Sequence, residues 1–575
     1  MRYRSCLVGA AMGLFASLAI ASTPAMATPC TNLLSLPLKD ATITSAADNT
    51  SGVFVPPGSS PIGGLPPFCR VTATLVPTAD SNIKIEVWLP LSGWNGRFLG
   101  TGGGGFQGRI TYSELAIGLQ TGYAATNSDL GTGSSGCNPL YCGQDGITTP
   151  LATAFGNPGV PSAGLFGHPE RIKDFGYRAI HLMTVRGKQI ANAFYGRDAH
   201  KAYFAGCSTG GQNALMEAQR FPDDYDGILA GAPAFNRTHL HMGAIAGWQN
   251  THASPGRLMQ PGQMTLINKA VLAQCVGQDG GVSTDKFLTD PRDCHFDPKA
   301  LLCTGGKVPP ACLTAEQVTT MRNYYAGTID PVNGDVIAPG SQRGNETDDV
   351  GALGLALQQL LPEPAFDGLF YWVFGPSFGF ATSPVNFTNF DFHRDVDKVD
   401  DRLAAVLNAN STDLGEFREH GGKLLMYHGW ADPLIPSQSS INYFNALVGD
   451  DGHERGFQQA SFGGDRHQGL RRTQSYARLF MVPGMYHCSG GPGPNTFDAL
   501  TPLITWVEGG VAPETIVAAK FVNNTPPTVE MTRPLCVFPK VAKYNGSGST
   551  SVAANFTCVT DERDFNQTPA PKYGP

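Results

Sequence analysis

The stretch Ala202-Tyr203-Phe204-Ala205-Gly206-Cys207-Ser208-Thr209-Gly210-Gly211-Gln212-Asn213-Ala214-Leu215-Met216-Glu217-Ala218 decides the fold. Ala202 to Ala205 reads as a short buried strand and Gln212 to Ala218 as the opening of a helix, with G-x-S-x-G between them. Glycines on both sides of Ser208 let a sharp turn project its Oγ from a sheet edge, with a helix N-terminus behind it. In a chain with 70 glycines the bare motif occurs by chance, and a plain glycine-rich turn is the competing reading. The strand-turn-helix context favours a nucleophile.

A second cysteine-flanked segment, Tyr486-His487-Cys488, supplies a base. If Ser208 and His487 approach to about 3 Å for proton transfer, Cys207 and Cys488 come within disulfide reach, with Cα atoms about 5 to 6 Å apart. Asp432 lies in His428-Gly429-Trp430-Ala431-Asp432-Pro433-Leu434-Ile435-Pro436, after the strand-like run from Lys423 to His428, and His487 follows the strand-like Leu479-Phe480-Met481-Val482. Singly, an Asp before Pro is usually a turn residue and a His a surface or core residue. The chain order Ser, Asp, His, each in a loop after a strand, is that of α/β-hydrolases. Ser208 is then the nucleophile, His487 the proton shuttle, and Asp432 the residue that fixes the imidazole tautomer. An oxyanion needs backbone N–H donors, which Thr209 and the loop Gly102-Gly103-Gly104-Gly105 supply, Gly104 foremost with Gly103 or Gly105 as neighbours. No G-K-[ST] follows that loop, which argues against a nucleotide site and leaves ordinary turn glycine as the alternative.

Residues 1–27 have a basic start (Arg2, Arg4), an apolar run from Leu7 to Ala21 and an Ala25-Met26-Ala27 exit, the pattern of a secretory signal cut before Thr28. No later segment approaches the roughly 20 apolar residues of a membrane span. The expected protein is exported or periplasmic. Of the 13 cysteines one, Cys6, falls in the leader, and an even number remains for an oxidising compartment. Local spacing pairs Cys30 with Cys69, Cys137 with Cys142, Cys275 with Cys294, Cys303 with Cys312, and Cys536 with Cys558, leaving Cys207 for Cys488. A zinc cluster would want C-x-x-C or H-x-x-x-H spacing, which is absent beside the cysteines. A net charge of -7 with 15% charged residues argues against a nucleic-acid or anionic-membrane partner. Oligomeric state is not legible.

Alternating apolar residues at Ile83, Ile85, Val87 and Leu89, a strand from Arg97, helical spacing from Asp174 to Tyr195 and the Ser208 unit make a doubly wound, mostly parallel sheet. After Gly231-Ala232-Pro233 the character changes to cysteines, turns and an aromatic stretch, and alternating βα logic returns with a helix from Asp413 to His420. The expected organisation is one α/β domain formed by residues 28–234 and 412–575, with 235–411 inserted as a lid. An independent second domain is the alternative.

The Cys207-Ser208, Asp432 and His487-Cys488 arrangement resembles the CS-D-HC pattern of the tannase and feruloyl esterase family. The similarity extends to Trp94-Asn95-Gly96-Arg97-Phe98, to His428-Gly429-Trp430-Ala431-Asp432-Pro433 and to Met481-Val482-Pro483-Gly484-Met485-Tyr486-His487-Cys488. That family includes tannases, feruloyl esterases and a hydrolase of mono(2-hydroxyethyl) terephthalate. The resemblance implies an α/β-hydrolase fold whose large inserted lid closes over an aromatic acyl group, acting without a redox or catalytic cofactor. It also implies a structural calcium in the lid, held by a D-x-x-D-G-x-x-D loop after a cysteine. Here that loop departs from the pattern: Val276 stands at the first acidic position, and Asp279 to Asp285 is longer than expected. Asp279 and Asp285, with nearby Asp290 and the carbonyls of Ser283 and Phe287, are the expected calcium ligands, a metal-free disulfide-stabilised loop being the alternative.

Phe370, Trp372, Phe378 and Ile435 are expected to contact the acyl group, although an aromatic run of this kind also serves as lid core. No Lys or Arg occurs between Arg343 and Arg394. A terephthalate monoester would want a guanidinium for its free carboxylate, so feruloyl-type or galloyl-type esters are favoured. The expectation is a secreted serine carboxylester hydrolase acting on small aromatic esters. A terephthalate-monoester hydrolase, a peptidase or lipase with the same triad, and a silent phenolic-binding protein are the rivals.

Overall fold

The computed structural model describes residues 28–57, 59–133, 165, 167–352, 354–361, 364, 368–375, 377–378, 382–453 and 464–561. The leader read at 1–27 and the pairing of Cys137 with Cys142 lie outside the described residues.

Nine strands form one sheet: β1 (Ala41–Asn49), β2 (Phe68–Leu75), β3 (Ile83–Pro90), β4 (Arg97–Thr101), β5 (Ala124–Ser128), β6 (Lys201–Cys207), β7 (Gly227–Gly231), β8 (Lys423–Gly429) and β9 (Ala477–Val482). Their order is β1-β2-β3-β5-β4-β6-β7-β8-β9. The β1/β2, β2/β3 and β3/β5 pairs are antiparallel, and every pairing from β5 across to β9 is parallel. The parallel half is covered on both faces, so strands such as β7, β8 and β9 read as apolar runs without alternation, β9 being buried throughout.

Residue parity divides the sheet's two cores. Phe98, Phe204, Met426 and Leu479 point to one side, where α2 (Ala179–Tyr195) and α3 (Thr209–Arg220) bring Met183, Ile190 and Leu215. Their chain neighbours Leu99, Tyr203, Leu425 and Phe480 point to the other, against Leu503 and Trp506 of the helix Leu500–Gly509. Burying each such side chain stabilises by about 1.5 to 3 kcal/mol. A shorter helix, α1 (Tyr112–Gln120), packs Leu115 and Leu119 on Trp88 of β3. This is the α/β-hydrolase architecture.

Among the described residues, no strand of the sheet falls between Gly231 and Lys423. The segment between holds α4 (Arg237–His252), α5 (Gln263–Cys275), α6 (Ala315–Ala326), α7 (Gly368–Phe374), α8 (Val396–Leu407) and a hairpin of Gly327–Ile329 with Val336–Pro339. α6 starts at a capping box in which the Thr314 side chain accepts from Gln317 N and the Gln317 side chain accepts from Thr314 N. After β9, an antiparallel hairpin of Thr515–Phe521 and Val529–Cys536 packs on the sheet. Five disulfides are present: Cys30–Cys69, Cys207–Cys488, Cys275–Cys294, Cys303–Cys312 and Cys536–Cys558. No described helix is long and apolar enough to cross a membrane.

Candidate active site

β6 ends at Cys207 and α3 begins at Thr209, so Ser208 alone makes the turn, with φ 66° and ψ -121°. Such a conformation costs a residue other than glycine about 1 to 3 kcal/mol and persists only where neighbours enforce it. They do so by close approach. A Cβ on Gly206 would stand 2.5 Å from Gly210 O, and one on Gly102 would stand 2.4 Å from Gly210 Cα. Ser208 N donates to Gly231 O at 3.0 Å and Gly210 N to Gly103 O at 2.7 Å, which pins the elbow between β7 and the glycine loop.

Asp432 and His487 meet above the C-terminal ends of β8 and β9. His487 Nδ1 lies 2.7 Å from Asp432 Oδ2. Asp432 Oδ1 accepts from Leu434 N at 2.8 Å and Ile435 N at 3.0 Å, so the carboxylate is held by its own turn. Its side chain is fully buried. Burial alone would raise this carboxyl, but the charge of His487 and hydrogen bonds from His428 and His487 hold it well below the usual carboxylate range. The Cys207–Cys488 bond, with Cα atoms 6.0 Å apart, joins the chain neighbour of Ser208 to the chain neighbour of His487.

One participant escaped the sequence reading. His428 is fully buried and places Nε2 at 3.2 Å from Asp432 Oδ2 and 3.1 Å from Ile435 O, while Nδ1 meets Ser440 Oγ at 2.7 Å. Two acceptors at Nε2 assign the proton there and leave Nδ1 to accept from the serine hydroxyl. The signal lay in the His428 and Asp432 spacing around Gly429-Trp430-Ala431, which brings a strand's last side chains back onto the turn that follows.

The oxyanion donors require one adjustment. Thr209 N opens α3 and has no intrahelical acceptor, as an elbow requires. Gly104 N, however, donates to Gln107 Oε1 at 3.0 Å, and Gln107 is anchored in turn to Thr111 Oγ1 and Ser128 O. The amides of Gly103 and Gly105 have no acceptor among the described residues. Of the three expected loop amides, Gly104 is thus engaged by Gln107, and Gly103 and Gly105 are not.

Ser208 and Thr209 open onto a cavity of about 290 Å³, walled by α4, the hairpin of Gly327–Ile329 with Val336–Pro339 and the segment Pro433 to Pro436. Ile435 lines it. Phe370, Trp372 and Phe378 do not, and the expectation that they contact the acyl group is corrected. Phe370 stacks on Phe378 with ring centroids 5.5 Å apart, and Trp372 meets Phe106 edge-on at 5.6 Å. All three are buried in the cluster that also holds the sheet's Phe98 and Phe204, Trp372 lying against Phe106 and Phe175, so they fasten the 235–411 segment to the sheet domain. Aromatic rings that do border the cavity are Phe235, Tyr324 and Phe392.

The residues expected to hold calcium do not fit that ion. Asp279 Oδ1 accepts from Gly277 N and Gly281 N, and its Oδ2 from Thr289 N at 2.5 Å. Asp285 Oδ1 faces Arg533 Nη2 at 2.6 Å, both side chains being 5% exposed or less. Asp290 is engaged by Arg292. Phe287 packs on Gly484 in the base loop, and Ser283 lies against Gly277. A guanidinium already supplies the positive charge that a divalent ion would bring.

The family model described as tannase and feruloyl esterase matches residues 69–559. An uncharacterised esterase of Xanthomonas campestris is 35% identical, covering 97% of this chain and 96% of its own. A crystal structure of an esterase from Aspergillus oryzae superposes with a TM-score of 0.78 at 27% identity, covering 92% of this chain and 99% of that one. Feruloyl esterase B from the same organism gives 0.74 at 28% identity, covering 91% and 98%. With a family match across most of its length, the chain belongs to the tannase and feruloyl esterase family.

Proposed function

We propose that this carboxylic ester hydrolase is an exported serine esterase that cleaves small aromatic acid esters, of feruloyl or galloyl type, through an acyl-serine. The observation that carries the reading is the joint geometry of the turn at Ser208, the Asp432–His487 hydrogen bond of 2.7 Å and the covalent link between their neighbours.

With Asp432 holding the proton on Nδ1, His487 Nε2 is left basic. As Ser208 Oγ bonds to the ester carbonyl carbon, its proton passes to Nε2 and the carbonyl electrons go to oxygen, stabilised by Thr209 N–H and the glycine loop. Collapse of the tetrahedral species breaks the bond to the alcohol, which leaves with the proton from Nε2. Water then repeats the sequence on the acyl-serine, releasing the acid and restoring Ser208.

The cavity wall supports a neutral aromatic acyl group. Its described lining contains no Asp, Glu or Lys, and its apolar part combines Leu240, Ile337, Ile435 and Phe392. The one arginine there, Arg237, directs Nη1 and Nη2 at protein acceptors. A terephthalate monoester would therefore meet no free guanidinium, which favours feruloyl-type and galloyl-type substrates. Five disulfides, and no helix among the described residues able to cross a membrane, support export.

The test is hydrolysis of methyl ferulate, methyl gallate, mono(2-hydroxyethyl) terephthalate and p-nitrophenyl butyrate by wild type and Ser208→Ala, with phosphonate labelling of the wild type. Preference for the first two, labelling at Ser208 and loss of turnover in the variant are expected. Turnover by Ser208→Ala would overturn the nucleophile, and preference for the butyrate would overturn the aromatic acyl group.

A further inference from the structure

Arg237 is 1% exposed, and no carboxylate stands within ion-pair distance of it among the described residues. Its guanidinium lies over two aromatic faces, 5.1 Å from the centroid of Phe106 and 4.7 Å from that of Phe175. Burial lowers it to about 9, still cationic at neutral pH. A buried charge without a counter-ion is costly, and an apolar side chain of like volume would fill the same space more cheaply. What the position gains from a guanidinium lies in its hydrogen bonds.

Those bonds converge on the two segments that bear the oxyanion donors. Arg237 Nη2 donates to Gly105 O at 2.9 Å, and Nη1 donates to Thr209 Oγ1 at 3.0 Å and Gln212 Oε1 at 2.7 Å. Thr209 Oγ1 donates onward to the same Gly105 O at 2.7 Å. The planar fork thus closes a small circuit: glycine loop, elbow helix, guanidinium. Gln212 Nε2 extends it to Leu407 O at the end of α8. Gly105 has φ +56°, and anchoring its carbonyl pins the C-terminal end of the glycine loop, limiting how the preceding peptide units can swing.

We propose that Arg237 is the positioning residue of the oxyanion hole, holding the Gly103-Gly104-Gly105 loop and the Thr209 amide at the spacing that the developing oxyanion requires. The proposal rests on the serine acyl-enzyme reading. Arg237 borders the cavity, but Nη1 and Nη2 are committed to protein acceptors, so it acts through the loop and the Thr209 segment that they hold. Its charge adds a fixed field that favours negative charge on the far side of Thr209, and the stabilisation grows as the carbonyl oxygen gains charge in the tetrahedral species. Arg237 is also the first residue of α4, so the lid's first turn and the hole are built on one side chain.

The experiment measures kcat, KM and affinity for an aryl boronic acid, whose tetrahedral serine adduct is anionic, in wild type, Arg237→Met, Arg237→Lys and Thr209→Val. Arg237→Met should keep its thermal midpoint, lower kcat about ten- to hundredfold, leave KM within about threefold, and weaken the boronate by the factor lost in kcat. Arg237→Lys, which retains charge but one point contact, should recover part of both. Thr209→Val, which cuts the circuit while keeping the amide, should resemble Arg237→Met in direction, and it decides the matter if Arg237→Met fails to fold. Unchanged kcat and boronate affinity in a folded Arg237→Met or Thr209→Val would overturn the proposal. So would a kcat loss matched by KM but not by the boronate. Absence of phosphonate labelling at wild-type Ser208 would instead overturn the acyl-enzyme reading, which keeps the two failures distinct.

Discussion

His428 Nε2 approaches Asp432 Oδ2 at 3.2 Å, the same carboxylate oxygen that His487 Nδ1 reaches at 2.7 Å. The acid of the site is therefore oriented from behind by a second imidazole. Asp432 has a depressed pKa, so its contribution to stability is complete above the ordinary Asp range and is lost as pH falls through the lower folded value. His428→Ala should raise that folded value, move acid unfolding to higher pH and reduce kcat about ten- to hundredfold. His428→Gln, able to present an N–H near the Nε2 position, should restore most of both. Acid titration followed by circular dichroism, with kcat at neutral pH, checks the pair.

The Cys207–Cys488 bond spans 281 residues of sequence. In the chain-entropy account a link of that length stabilises by about 5 kcal/mol. Replacing both cysteines by alanine should lower the denaturation midpoint, and it should lower kcat more than it raises KM because the base loop loses its tether. A variant losing stability alone would show that the link does not position His487.

Chelation should leave the protein unmoved. With Asp279 capped by amides and Asp285 paired to Arg533, incubation with EDTA should not change the thermal midpoint, and added calcium should not raise it. Arg533→Leu strands a buried carboxylate and should cost about 3 to 5 kcal/mol. A chelator-induced fall in the wild-type midpoint would place an ion at this loop.

His239 bridges three pieces of the insertion, with Nδ1 to Ile337 O at 2.8 Å and Nε2 to Asp400 Oδ2 at 2.7 Å. Burial opposes its charge, but the Asp400 carboxylate and the Ile337 carbonyl raise its pKa. A raised folded pKa contributes stability below the unfolded value near 6.5 that is lost as pH climbs through the folded one. Denaturation between pH 5 and 9 should show wild type weakening toward alkaline pH and His239→Gln flattening that slope.

Ile435→Ala should raise KM for aryl esters while sparing stability relative to Phe378→Ala, which opens the lid core and should cost about 3 to 5 kcal/mol. Equal KM effects would return Phe378 to the pocket.

What was legible in the chain was whatever depends on near neighbours or on order. The elbow at Ser208, the Ser, Asp, His sequence and four of the five described disulfides follow from local patterns or order, and Cys207–Cys488 from what those pairings leave over. β5 was not legible: Ala-Ala-Thr-Asn-Ser from Ala124 to Ser128 carries buried polar residues whose hydrogen bonds, such as Asn127 Nδ2 to Thr101 Oγ1, form only across strands. His428 was read as a strand end and Arg237 was not singled out, since their roles depend on groups reached by tertiary packing. The lid aromatics misled because periodicity and composition do not distinguish a core ring from a cavity wall. Over Asp174–Arg178 a π-turn precedes α2, where the spacing suggested uninterrupted helix.

The bond between Cys207 and Cys488 also decides what a protease can take from this enzyme. Any single cut between them, for instance at the lid hairpin beside Val332, which is 70% exposed, yields two polypeptides that remain one covalent molecule. Nucleophile and base cannot diffuse apart after such a nick. A chain clipped there can thus still keep its two pieces in register.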